Sequence, residues 1–62
     1  MFVNTYNGYV NINHIIRIYI ERRPPTHDQR FFAVLTEKDE DGQHREVRIS
    51  ENVYEIITQN KD

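Results

Sequence analysis

The side chains able to do chemistry in this chain are three histidines, a cluster of arginines, one acidic run and a few hydroxyls. His14, His27 and His44 fall on three separate segments, without metal-ligand spacing. There is no cysteine to add a thiolate ligand. A zinc site needs several ligands brought to one point, and nothing in this spacing brings them. Asp39-Glu40-Asp41-Gly42 hints at a calcium loop. An EF-hand needs a glutamate six positions beyond its glycine, and that place holds Arg48. The run reads as a solvated turn. The hydroxyls are Thr5, Thr26, Thr36, Ser50 and Thr58. No G-x-S-x-G, Gly-rich phosphate loop or H-E-x-x-H surrounds any of them. The expectation is a protein that is not an enzyme, with no metal and no cofactor.

Arg17, Arg22, Arg23 and Arg30 form the one asymmetry of charge. Tyr19 lies among them, His14 and His27 flank them, and Glu21 and Asp28 dilute them. Arginine beside an aromatic ring suits phosphate, RNA or an acidic protein surface. The whole chain carries eight basic and ten acidic side chains, a formal charge of −2. That balance gives no global reason to bind nucleic acid or acidic lipid.

These residues must be positioned by a sheet. From Tyr9 to Glu21 the even positions read Val10, Ile12, His14, Ile16, Ile18, Ile20. A period of two is the signature of a strand with one buried face. As one strand the segment exceeds the usual length of about 3–10 residues. A break or bend is expected at Asn13-His14, where an asparagine and a histidine interrupt the apolar face. Residues 2–6 form a short strand before it. Asn7-Gly8 suits a type I′ hairpin turn. Residues 22–29, with Pro24 and Pro25, are expected to be a loop. A strand runs from Arg30 to Glu37, with Phe32 and Val34 on one face and Phe31, Ala33 and Leu35 on the other. Both faces are apolar, as in a central strand or an interface. After the turn at Lys38–Gly42, residues Gln43 to Ile49 alternate again. Ser50 is a good N-cap and Glu51 suits the first turn of a helix. Val53, Ile56 and Ile57 form the apolar stripe of that helix, over about Glu51–Gln59. Asn60, Lys61 and Asp62 are expected to fray.

A chain of 62 residues makes one small domain, spanning 1–62. It buries only about 60% of the surface its unfolded form exposes. The candidate core is Phe2, Val10, Ile12, Ile16, Ile18, Ile20, Phe32, Val34, Val47, Ile49, Val53, Ile56 and Ile57. No disulfide supports so thin a core, so a homodimer is expected. No secretory signal and no apolar run of the roughly 20 residues of a membrane span is visible. The expected location is the cytoplasm, with no membrane contact. The fold class is α+β: a small, mainly antiparallel sheet of four or five strands, curled towards a barrel, with one C-terminal helix.

The order of strand, Asn-Gly, strand with Val10-Asn11-Ile12-Asn13, Ile-rich strand ending in Glu21, Pro-containing loop, strand, Gly turn, strand, then Val47-Arg48-Ile49-Ser50-Glu51 and a helix resembles the FlbD-like small proteins of flagellar operons. That resemblance implies a short, non-enzymatic protein linked to motility. Residues 22–29 and the acidic turn at 37–41 depart from the family's more compact pattern. Tyr9-Val10-Asn11-Ile12-Asn13-His14-Ile15 followed by Val47-Arg48-Ile49-Ser50 is similar to the C-terminal half of LytTR-type DNA-binding domains. There, basic residues before the Val-Asn segment help contact DNA. Here that place holds Thr5-Tyr6-Asn7-Gly8, with no positive charge, so no DNA-contact residue carries over.

The reading is a non-catalytic protein-interaction or regulatory module. It would act through a sheet edge or an apolar sheet face built from Phe31, Ala33 and Leu35, with Tyr19 beside it. The alternative is a nucleic-acid-binding regulator using Arg17, Arg22, Arg23 and Arg30.

Overall fold

The computed structural model describes residues 1–60. Five strands and one C-terminal helix make an α+β domain. The strands are β1 (Phe2–Thr5), β2 (Gly8–Asn11), β3 (Ile15–Arg23), β4 (Asp28–Lys38) and β5 (His44–Ile49). The helix α1 spans Glu51–Asn60, and a 3-10 turn at Ile12–His14 joins β2 to β3. The helix still includes Asn60, whose side-chain Nδ2 donates to the Ile56 carbonyl at 2.8 Å. Lys61 and Asp62, also expected to fray, lie outside the described residues.

The strands form two antiparallel sheets: a β1–β2 hairpin and a β3–β4–β5 meander. The expected curl towards a barrel is not realised. Between β1 and β5 the join is made at one end, where the Tyr6 N–H donates to the Arg48 carbonyl at 3.0 Å. A single backbone bond there does not make the ladder that closure needs.

The Asn7-Gly8 turn forms, but with its residues placed differently. Thr5 pairs with Gly8, so Tyr6 and Asn7 are the two loop residues. Positive φ falls on Gly8 (108°) and not on Asn7. A type I′ turn needs positive φ at both central residues, so this turn is of another kind. Thr5 closes it from inside. Its hydroxyl donates to the Gly8 carbonyl at 2.6 Å and accepts from the Asn7 N–H at 3.0 Å.

The break expected at Asn13-His14 is the 3-10 turn. Asn11 caps it by accepting from the Asn13 N–H at 3.0 Å. A bulge follows between Ile15 and Arg17, and together the two features shift the inward phase. Ile15 is buried, while Ile16 is 48% exposed. Beyond the bulge Ile18 and Ile20 return to the core face, opposite Ala33 and Phe31. The hairpin after β3 is shorter than the expected loop over 22–29. Strand pairing reaches Arg23 and Asp28, leaving Pro24–His27 as the turn.

The core is Val3, Ile12, Ile15, Ala33, Leu35, Val47, Ile49 and Ile57. Val10, Ile18, Phe31, Val53 and Tyr54 pack against it. Four of the expected core residues are exposed rather than fully buried: Phe2 most, then Ile16, with Ile20 and Ile56 at the margin of the core. Phe32 is half-buried and lies on the opposite face of the sheet. The helix starts as its cap residue dictates, with the Val53 N–H donating to Ser50 Oγ at 3.2 Å. It presses Ile57 into the core, and Tyr54 meets Phe31 with ring centroids 5.2 Å apart.

Candidate functional site

The proposed interaction face of Phe31, Ala33 and Leu35 is the inner face of the meander. Ala33 and Leu35 are buried in the core, and Phe31 packs under Tyr54. The chain's own helix and hairpin pack on that face, burying Ala33 and Leu35 and half-burying Phe31. The second apolar face of β4, noted from sequence, has this cause. β4 is the central strand of the meander, with residues facing inward and outward alike.

The outer face is built from the alternate residues. The ladder places Arg17, Val34 and Glu46 in one row and Tyr19, Phe32 and Arg48 in the next. Glu21 lies opposite Arg30, and Arg23 opposite Asp28. Tyr19 and Phe32 stack with centroids 5.3 Å apart, and the Arg17 guanidinium lies 5.6 Å over the Tyr19 ring. The Tyr19 hydroxyl donates to the Glu46 carboxylate, reaching across β4 to β5. That bond favours the neutral phenol and raises the Tyr19 pKa above its ordinary value. Desolvation and the charges of Glu46 and Glu21 act the same way, and Arg17 opposes them.

The four clustered arginines do not converge. Arg17, Arg23 and Arg30 share the outer face, while Arg22 alternates to the other side, paired in register with Gln29. A carboxylate meets two of the outer three. Glu21 binds Arg23 Nε at 2.6 Å and faces Arg30 across the ladder. With Asp28 and Glu46 on the same face, the positive charge is nearly matched. A bare polyanion site needs the reverse.

The histidines also stay apart. His14 ends the 3-10 turn, His27 sits in the β3–β4 turn with φ of 59°, and His44 begins β5. Among the described residues no three metal-ligating side chains come together. Asp39 uses its carboxylate locally, accepting from the N–H groups of Asp41 and Gln43 at 3.0 Å each. That is how an aspartate shapes a turn. The surface of the described residues has open depressions. One, of about 260 Å³, lies beside Phe2, Tyr9 and His14, and another, of about 370 Å³, lies over Val34 between Arg17, His44 and Glu46. Thr36 and Glu37 also line the first.

What the fold leaves open is an edge. The meander ends in β5 on one side and β3 on the other. The hairpin meets β5, where Tyr6 bonds Arg48 and the Arg48 guanidinium lies 5.2 Å over the Tyr6 ring. Among the described residues no strand pairs along the outer side of β3. Ile16 and Ile20 are 48% and 39% exposed there. Sequence reasoning found Tyr19 but assigned both isoleucines to the core. The bulge that exposes Ile16 leaves no local signal. Glu46, remote in sequence from Tyr19, has none either. No helix among the described residues is long and apolar enough to cross a membrane. Comparison with protein-family models, with curated proteins and with solved structures found no match.

Proposed function

We propose that this protein is a non-catalytic interaction module that docks partners along the open edge of β3. The observation that carries this reading is that, among the described residues, no strand pairs along the outer side of β3 from Ile16 to Arg23, where Ile16 and Ile20 are exposed. An exposed strand edge is a template for another strand, whose backbone completes the ladder. The FlbD-like resemblance, with its short non-enzymatic proteins, points the same way. The test compares partners captured from a lysate by the native chain and by an Ile16→Lys, Ile20→Lys double variant. Ile16 and Ile20 are 48% and 39% exposed, so lysines there blunt the edge, and circular dichroism checks that the double variant stays folded before capture. Loss of the captured partners supports edge docking. Their full retention overturns it.

A second reading draws on the Tyr19–Phe32 stack flanked by arginines. Aromatics on an open sheet with nearby cations suit single-stranded nucleic acid. The matched carboxylates Glu21 and Glu46 weaken it. Binding to a single-stranded oligonucleotide that falls steeply with salt, and is lost in Arg17→Ala and Arg30→Ala, would favour it over edge docking. Salt-insensitive or absent binding excludes it.

A further inference from the structure

Resting on the edge reading, we propose that the occupant of the β3 edge is β3 of a second copy, paired antiparallel about a two-fold axis at Tyr19. The sequence of the strand is self-complementary in that register. Arg17 faces the partner's Glu21 on the outer face, and Glu21 faces the partner's Arg17. Tyr19 faces the partner's Tyr19 between them. On the core face Ile18 meets the partner's Ile20, and Ile20 meets the partner's Ile18. Residues directly opposite on adjacent strands lie about 4.5–5.5 Å apart at Cβ, close enough for each pair to interact.

The intrachain surroundings agree. Arg17 makes no ion pair within its own chain among the described residues, although it lies over the Tyr19 ring. The partner's Glu21 supplies the missing carboxylate. Ile20, 39% exposed, gains an apolar neighbour.

Competing registers are worse. A two-fold axis perpendicular to the sheet keeps each residue on its own face, so only slips that preserve the face are allowed. The nearest slip one way sets Arg17 against the partner's Arg23 and Ile18 against Arg22. The nearest slip the other way leaves only Arg17, Ile18 and Tyr19 clear of the bulge between Ile15 and Arg17, whereas in the Tyr19 register the bulge meets only the strand end at Arg22 and Arg23. The Tyr19 register joins two meanders into a continuous six-stranded sheet, with both helices on one side.

Sedimentation of the native chain across a wide concentration range is expected to show a monomer–dimer equilibrium. Arg17→Glu sets two like-charged pairs across the axis, as does Glu21→Arg. Each alone is expected to weaken self-association by about tenfold or more. An equimolar mixture of the two variants restores both opposite-charge pairs and is expected to associate like the native chain. Circular dichroism of each variant shows that it is folded before mixing. A second measurement does not depend on those charges. The chain has no cysteine, so Tyr19→Cys introduces a single thiol. Opposed Cα atoms at about 4.5–5.5 Å fit disulfide geometry, so mild oxidation is expected to cross-link Tyr19→Cys dimers. Ile18→Cys is expected not to cross-link, because each thiol then faces the partner's Ile20. A mixture that stays monomeric with both variants folded overturns the pairing, as does equal cross-linking at both positions. If the native chain is monomeric throughout while the Ile16→Lys, Ile20→Lys variant still loses its captured partners, self-pairing fails and edge docking stands. If that variant also keeps them, both fail.

Discussion

The two edges of the meander are built on opposite plans. β5 is short and carries His44, Arg45, Glu46 and Arg48 among its six residues. The β1–β2 hairpin also meets it through Tyr6. β3 is longer, has Ile15, Ile16, Ile18 and Ile20, and is met by no strand on its outer side among the described residues. Charge and cover are the usual means of blunting an edge; both edges carry charge, but only β5 also has cover. Cover by the chain's own hairpin protects β5. At β3 the charges Arg17 and Glu21 are spaced to match a copy of themselves rather than to repel one.

The largest contrast is expected when one side chain is truncated in each strand. Ile49 of β5 is 1% exposed and Ile20 of β3 is 39% exposed. Ile49→Ala is expected to cost about 2–5 kcal/mol, from lost burial and the cavity left behind. Ile20→Ala is expected to cost about 1 kcal/mol or less in the monomer, since its site is half in water. Denaturant unfolding of both variants at dilution checks the contrast. Equal losses would mean that the β3 edge is as well packed as β5.

The cover on β5 can be removed from the hairpin side. Thr5 is 6% exposed and satisfies both Gly8 and Asn7 through one hydroxyl. Thr5→Val keeps the shape and leaves two backbone groups without that partner, at an expected cost of about 1–3 kcal/mol. Amide exchange sharpens the point. The Tyr6 N–H, bonded to Arg48, is expected to exchange faster in the variant, while the β3–β4 ladder amides keep their protection. Loosening that spread equally through β3 would show that the hairpin supports the whole meander rather than one edge.

Little of this contrast is legible in the residues alone. The strands, the turns and the helix follow local rules. Alternation marks β5, Ser50 caps α1, and Asn13-His14 falls in the break it was expected to cause. The faces do not follow. The 3-10 turn and the bulge each add residues out of step, so Ile16 moves outward and Ile15 inward although both are isoleucine. Phe31, Ala33 and Leu35 read as a surface for a partner because the helix that covers them comes later in the chain and leaves no mark on their spacing. The edge status of β3 is a property of sheet order. No residue in β3 states whether β5 or nothing lies beside it.

A smaller effect links the two edges directly. Tyr19 on β3 donates its hydroxyl to Glu46 on β5 over the central strand. Tyr19→Phe keeps the stack on Phe32 and removes that bond. The pair is solvent-exposed, so the expected loss is below about 1 kcal/mol. Its pH dependence is more telling than its size. The bond needs the protonated phenol, and the folded pKa is raised above the ordinary value of about 10. The native state therefore holds a proton that the unfolded chain releases first. The stabilisation is complete below pH about 10 and is lost as pH rises through the raised folded pKa. Unfolding followed from pH 8 upward is expected to show a decline in the native protein that is shallower in Tyr19→Phe. An identical decline would mean that the bond does not couple the open edge to the covered one, leaving the Tyr19–Phe32 stack as the remaining side-chain link from β3 across the outer face.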